Sequence, residues 1–345
     1  MPITRVGIVG AGKIAETFHL PAWQGNSGAR IVAICDPRID AARRLAERFG
    51  IDRVYPSVQA MVQDAVLDAV DICSPHRLHH EHALLALNAG LHCLIEKPFA
   101  TTAKEARAIV EAGRARDRIV MCAQHQRFRP PSVKLKSMIE AGEFGNIYCA
   151  RVDAMSARGV PRQVDNSFTD KAKAGGGPLI DQGAHGIDIA WWLMGCPTPK
   201  SAFAVTSGIF APNKGRTPGG AEWNVYTVED FATGILTFEG GESITIHTSY
   251  LAHCEKDRFG CELLGTLGGV VWPELIVTRP EGDGVRREII EPDTDKLASV
   301  EEIGHFLGLI TKSQSPIVPP EQSLTVVRMI EALYRSAMAG KSVGF

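Results

Sequence analysis

This chain of 345 residues lacks several features that would assign it to a common class. It has no block of basic residues and its formal net charge is −2, so neither nucleic acid nor an anionic membrane surface is expected as a partner. No apolar run approaches the ~20 residues of a membrane span. The opening stretch MPITRVGIVGAG enters a strand-and-glycine pattern at once. It carries no apolar signal core and no twin arginine, so no export signal is expected. The eight cysteines (Cys35, Cys73, Cys93, Cys122, Cys149, Cys196, Cys254 and Cys261) form no Cys-x-x-Cys pair. Most lie in or beside apolar strand-like runs. They read as buried small hydrophobes in a reducing cytosol, and no disulfide, zinc ligand or other metal site is expected. The chain shows no internal repeat and no low-complexity segment.

Its length exceeds the roughly 250–300 residues at which a single core stops growing, so two domains are expected. Hydrophobic residues make up 45% and charged residues 22%, ordinary values for a folded chain. Through residue 124, short apolar runs alternate with helical patterns. Val6–Val9, Ile31–Cys35, Ala69–Cys73, Leu91–Ile95 and Ile119–Ala123 read as strands, each preceded or followed by a helix. That alternation predicts a doubly wound parallel sheet over residues 1–124. Residues 125–345 read differently, as an α+β domain. A helix over about 179–194 precedes a region of period-two alternation between about 200 and 291. Glu239–Glu242 and Thr266–Gly269 look like hairpin turns there, which predicts a large, mostly antiparallel open sheet. Two further helices, from about Val300 and Glu321, close the chain.

Gly10-Ala11-Gly12-Lys13-Ile14-Ala15 follows the first strand and opens a helix, as a dinucleotide fingerprint requires. Gly10 allows the tight turn and Gly12 lets a pyrophosphate approach the backbone. Ala15 keeps helix and strand close, and the anion meets the free N–H groups around Lys13 and Ile14. The second strand ends at Asp36, where an acid would bind the ribose hydroxyls. Asp36 favours NAD over NADP, since a carboxylate repels a 2′-phosphate; Arg38 could accept one and keeps NADP open.

Two other stretches carry unusual chemistry. In LIEKPF an apolar run ends in Glu96, Lys97 and Pro98, a trio for which a strand interior has no use. In GGGPLIDQGAHGIDIAWWLMG, Asp181, His185 and Asp188 fall at i, i+4 and i+7, on one helix face. His185 can be read as a general base oriented by a carboxylate, or as a packed histidine beside a first-turn acid. Gly183, which costs about 1 kcal/mol in mid-helix, suggests a close approach to that backbone.

Taken with GIVGAGKIA, SPHRLHHEHALLALNAGLHCLIEKP and QHQRFRP, these motifs resemble, in order and spacing, the Gfo/Idh/MocA family of NAD(P)-dependent sugar and cyclitol dehydrogenases. The resemblance covers essentially the whole chain. It implies that Lys97 is the active-site lysine, that Glu96 helps fix the cofactor, and that a cis Pro98 aims Lys97. It makes Asp181 and His185 the catalytic carboxylate and histidine and puts Arg127 near cofactor or substrate; Asp188, on the same helix face as Asp181 and His185, is read as a further substrate contact. Ser74, Pro75, His76 and His79 would line the dinucleotide. Members usually read Thr-Pro-Asn where this chain has Ser74-Pro75-His76, so Ser74 and His76 depart from the family's pattern while His79 matches it. The resemblance further implies a homo-oligomer, a dimer or tetramer, formed through the second domain's sheet.

The expected reaction is hydride transfer between a secondary alcohol of a sugar, sugar derivative or inositol and the nicotinamide of NAD, with NADP as the alternative. His185 or Lys97 would exchange the proton, and the segment 155–171 would help select the polyol. Two other readings use the same fold: a redox-neutral glycosidase that oxidises a sugar transiently, and a dinucleotide-sensing regulator without catalysis.

Overall fold

The computed structural model describes residues 3–157, 159, 167–210 and 226–345. Part of the expected substrate-selecting segment, residues 158 and 160–166, lies outside them. The chain divides into two compact units, one of residues 1–128 and 296–324, the other of residues 129–295 and 325–345.

The first unit is built on the strands β1 (Thr4–Val9), β2 (Ala29–Cys35), β3 (Arg53–Tyr55), β4 (Ala69–Ile72), β5 (His92–Glu96) and β6 (Val120–Ala123). All pair in parallel, in the order β3-β2-β1-β4-β5-β6. The chain winds outward from β1 in one direction, then returns to lay β4 on its other side. Ligands of such sheets bind at the carboxyl ends of the strands where this reversal occurs. The strand interiors are mostly apolar because helices cover both faces; Ile8, Ile34, Val70, Ile72 and Ile95 are fully buried.

After β1 the chain makes a wide π turn, Ala15–His19, before α1 (Leu20–Gln24). Pro21 has no N–H to return to Thr17, so the ordinary α ladder cannot run through this point. The wide turn buries Ala15 and His19. The remaining crossovers are α2 (Ile39–Phe49), α3 (Val58–Asp64), α4 (His79–Asn88) and α5 (Ala103–Ala115). Gly50, in the left-handed region, ends α2, and a reciprocal Thr102–Glu105 capping box starts α5.

The second unit begins with α6 (Pro130–Glu140), β7 (Ile147–Met155), α7 (Lys171–Ala174) and α8 (Pro178–Leu193). The strands β8 (Pro199–Ser207), β9 (Phe231–Phe238), β10 (Ser243–Ser249), β11 (Arg258–Gly265), β12 (Gly269–Trp272), β13 (Ile276–Glu281) and β14 (Gly284–Ile289) follow. The nine-stranded sheet runs β14-β13-β12-β11-β7-β10-β9-β8-β15, the last being Val343–Gly344. β7 and β10 are parallel and the other neighbours antiparallel. The two expected hairpin turns join β9 to β10 and β11 to β12. β15 is not legible in the sequence, because two residues are too few to show alternation.

One face of this sheet carries α8. A Cβ on Gly183 would stand 3.3 Å from Thr248 Cγ2 and 3.6 Å from Ile246 Cδ1, and one on Gly186 would collide with Val152. The close approach anticipated at Gly183 is therefore made by the protein's own strand β10, and β7 makes a second one at Gly186. Glycine is there to let the helix settle onto the sheet.

The chain closes with α9 (Ala298–Ile310) and α10 (Pro320–Ala339). α9 belongs to the first unit, where Phe306 meets the edge of Trp23 and His305 lies 5.3 Å from the Phe128 ring.

Candidate functional site

In the first unit the fingerprint turn is fixed by geometry that only glycine allows. Gly10 has φ +101°, and a Cβ there would stand 2.9 Å from the carbonyl oxygen of Cys73, at the end of β4. At Gly12 a Cβ would meet nothing within 4 Å, so the helix start faces open space. Beside it, the buried Asp36 carboxylate accepts the N–H of Ala11 and the N–H of Arg38, both at 2.8 Å. The Arg38 guanidinium, largely exposed, lies 3.3 Å from the same carboxylate. An open helix N-terminus with an acid pinned next to it fits a dinucleotide. The open space over Gly12 suits the pyrophosphate, and Asp36 retains lone pairs for ribose hydroxyls.

Asp36→Ala is expected to raise the ratio of NADP to NAD use by about tenfold or more, because it removes a like charge from the 2′-phosphate side. Comparing kcat/KM for the two cofactors measures this. If NADP use weakens instead, Asp36 is not the ribose acid.

Ser74, Pro75 and His76 follow β4. His79, fully buried, spans two turns: Nδ1 is 2.8 Å from the carbonyl oxygen of Pro98, and Nε2 is 2.8 Å from that of Ser74. Carbonyl oxygens only accept, so a neutral ring can satisfy one of them at a time. Burial holds its pKa below the usual value all the same. His79 thus ties the turn after β4 to the turn after β5, and Ser74 Oγ is 2.9 Å from His82 Nδ1.

Lys97 stands at the carboxyl end of β5, and its bond to Pro98 is cis. Its backbone N–H donates to Glu96 Oε2 at 2.8 Å. Glu96 is itself buried and 3.0 Å from His19 Nε2. Burial pushes its carboxyl up, but the hydrogen bond and charge of His19 outweigh this, with Lys97 and His125 adding to the pull, and lower it to about 2. A cavity of about 170 Å³ opens here, lined by Ile14, Phe18, His19, Glu96, His125 and Glu302 among others. It joins the fingerprint helix to the end of β5.

Arg127 is 1% exposed and donates to the carbonyl oxygen of Ile317 and to Gln322 Oε1. These bonds fasten residues 317–322 to the turn after β6.

In the second unit Asp181 and His185 lie one turn apart on α8. The N-terminus of that helix is capped by Glu229, whose carboxylate accepts the N–H groups of Gly177 (2.9 Å) and Leu179 (3.2 Å) and the Tyr334 hydroxyl (2.7 Å). Asp181 Oδ2 accepts the hydroxyl of the fully buried Tyr250 at 3.0 Å. Burial and the Asp181 charge push the Tyr250 phenol well above its usual pKa, which keeps it a donor. The His185 ring meets Phe259 edge-on at 6.2 Å. Asp188, the third member of the stripe, is fully buried.

Four contributors to these arrangements escape inspection of the sequence: His19, Glu229, Tyr250 and Asp71, whose Oδ2 lies 2.7 Å from His19 Nδ1. Asp71 left a visible trace, since an acid in the middle of the buried run Ala69–Ile72 has to be satisfied by something. Tyr250 and Glu229 left none.

The chain matches the family model described as the oxidoreductase family with an NAD-binding Rossmann fold over residues 4–124. It matches the GFO/IDH/MocA C-terminal domain over residues 132–271. It is 33% identical over 346 residues to D-glucoside 3-dehydrogenase of Escherichia coli (strain K12), covering 98% of this chain and 97% of that one. It is 24% identical over 345 residues to myo-inositol 2-dehydrogenase of Thermotoga maritima, covering 98% of each. Among solved structures, levoglucosan dehydrogenase in complex with NADH and levoglucosan has the same fold. It matches with a TM-score of 0.86 at 24% identity, covering 99% of this chain and 98% of that one. With both parts of the family matched in order and a relative one-third identical along its length, the chain belongs to the Gfo/Idh/MocA family of NAD(P)-dependent oxidoreductases.

Proposed function

We propose that this protein oxidises a secondary ring hydroxyl of a sugar or glycoside, and reduces the matching ketone in reverse, with NAD as the preferred cofactor. The observation that carries the reading is the 33% identity, over nearly the full length of both chains, to a D-glucoside 3-dehydrogenase. The polar character of Lys97, Asp181 and His185 supports a polyol over an apolar alcohol.

Gly10, Gly12 and Asp36 would hold NAD, which supplies the hydride acceptor when bound. His185 takes the proton of the reacting hydroxyl. Asp181, its carboxylate fixed by Tyr250, orients His185 or holds a neighbouring hydroxyl. Lys97, as a cation, stabilises the negative charge that develops on the oxygen. In reverse the same groups return the proton.

The exposed face of the nine-stranded sheet supports association of copies into a dimer or tetramer. Phe203 and Val205, two apart on β8, both stand exposed, and Phe203 pairs with the half-buried Ile235 of β9. Light scattering at defined concentration reads the mass. No helix among the described residues is long and apolar enough to cross a membrane.

The test of function is a panel of glucosides, free sugars and inositols offered with NAD and with NADP, following absorbance of the reduced nicotinamide. A glucoside or closely related sugar should reduce NAD, and no reduction with any member overturns the reading. Release of the aryl group from an aryl glycoside without net reduced nicotinamide would identify the redox-neutral glycosidase instead.

A further inference from the structure

Beneath the end of β5 lies a buried charged cluster that the proposed chemistry does not use. His19 Nδ1 is 2.7 Å from Asp71 Oδ2, and its Nε2 is 3.0 Å from Glu96 Oε1. The Trp23 indole N–H donates to the same Asp71 oxygen at 2.6 Å, and the Cys73 thiol points at Asp71 Oδ1 from 3.6 Å. Glu96 Oε2 receives the Lys97 backbone N–H. His19, Asp71 and Glu96 are all buried. We propose that His19 is held as an imidazolium and acts as a positioning residue, fixing Glu96 and, through Glu96, the backbone at Lys97.

Proton counting leads to this assignment. Both ring nitrogens face carboxylate oxygens, and a neutral imidazole has one N–H to offer. The second proton therefore sits either on the ring or on a carboxyl oxygen. An imidazole is ordinarily about two pKa units more basic than a carboxylate, which favours the ring. Two donors already converge on Asp71 Oδ2, and an amide N–H meets Glu96 Oε2, so both acids are solvated in their charged forms. The Lys97 and His125 charges favour an ionised Glu96 as well. Burial opposes a charged ring, but the Asp71 carboxylate, through its charge and its hydrogen bond and with the Cys73 sulfur beside it, outweighs this and carries His19 well above its usual value.

The groups facing His19 are Trp23 from α1, Asp71 and Cys73 from the end of β4, Glu96 and Lys97 from β5, His125 from the turn after β6 and Glu302 from α9. Without the imidazolium, Asp71 and Glu96 would face one another's field with no cation between them. Glu96 would then release the Lys97 amide, or leave extra negative charge beside the Lys97 ammonium and raise its pKa. The catalytic half of this inference rests on the proposed role of Lys97; the protonation half does not.

The experiment has one arm for each half. In the intact wild-type protein, nitrogen-15 NMR of the histidine rings should show His19 protonated at both nitrogens through neutral pH. A neutral His19 ring at pH 7 overturns the proposal, whatever the protein oxidises. In His19→Gln, hydrogen exchange at the Lys97 amide should quicken by about tenfold or more, as expected when a charge-assisted hydrogen bond is lost. On the substrate found by the panel, kcat/KM should fall about 10- to 100-fold. The limb of its pH profile governed by Lys97 should move up by roughly one pH unit. The double variant His19→Gln/Glu96→Gln, which removes the excess negative charge, should return that limb toward its original position. A lower rate with an unmoved profile and unchanged Lys97 exchange would make His19 merely structural and overturn the positioning role. If His19→Gln does not fold, the wild-type spectrum still decides the protonation state. If no sugar is oxidised, the functional reading fails while the NMR and exchange results stand or fall separately.

Discussion

Replacing Lys97 or His185 by alanine is expected to lower kcat by at least about 100-fold each, the scale of losing an electrostatic or acid–base group. The two losses have different physical origins. Lys97 follows directly from a buried strand, and its backbone N–H is tied to the Glu96 carboxylate. In the proposed mechanism it presents a positive charge where oxygen becomes negative, and a preorganised charge acts without reorganising its surroundings. His185 stands on α8 against Phe259, one turn beyond Asp181. In the proposed mechanism it holds a proton, so its loss would remove a carrier rather than a field. The expected signature is therefore a drop in kcat for both variants with NAD binding retained in His185→Ala. Steady-state kinetics with the substrate found by the panel, together with NAD titration by fluorescence, reads both quantities. Near-normal turnover in both variants would remove Lys97 and His185 from the chemistry.

Gly10→Ala is expected to weaken NAD binding by tenfold or more, an estimate based on the ~1–3 kcal/mol cost of an unfavourable backbone. At φ +101° an alanine is strained by itself. Its Cβ would also stand 2.9 Å from the Cys73 carbonyl oxygen, a backbone atom that cannot swing aside as a side chain would. The turn must open, and with it move the Ala11 N–H that now donates to Asp36 Oδ2. Two parts of the cofactor cradle shift together for one added methyl group. Gly12→Ala makes the informative contrast, because its Cβ would meet no protein atom within 4 Å. That variant should fold as well as the parent and still bind NAD poorly, since the methyl group would occupy the space the pyrophosphate needs. Calorimetric titration with NAD and thermal unfolding separate the cases: Gly10→Ala lowers both affinity and Tm, and Gly12→Ala lowers affinity alone. Unchanged affinity in both would place the dinucleotide elsewhere.

The features legible in the sequence were those encoded by local spacing. The alternation of apolar runs and helices announces the parallel sheet, because a strand buried on both faces is apolar along nearly its whole length. Gly10, Gly12 and Asp36 were legible because a tight turn, a helix start and a strand end follow one another along a single βαβ unit. Lys97 stands out as a charge where a buried strand ends, and Asp181, His185 and Asp188 as polar residues on one face of a largely apolar helix. Arg127 shows the limit of such reading. The family resemblance puts it near cofactor or substrate, and only the fold shows that its described hydrogen bonds also fasten the chain around Ile317 and Gln322.

Only the tertiary structure decided which distant side chains those positions meet. His19 lies 52 residues from Asp71 and 77 from Glu96 along the chain, and Asp181 lies 69 from Tyr250. No local pattern specifies such pairs. The cluster around His19 exists because the strand order sets β4 beside β1 and β5 beside β4, and because Pro21 widens the helical turn that carries the ring inward. Gly183, a sign of close approach in the sequence, acquired its partner only when α8 was laid on β7 and β10. The sequence by itself determined which groups carry charge and where strands end. The order in which those strands stack determined which of the groups are neighbours, since hydrogen bonds and charges act over a few ångströms of space however far apart the residues lie in the chain.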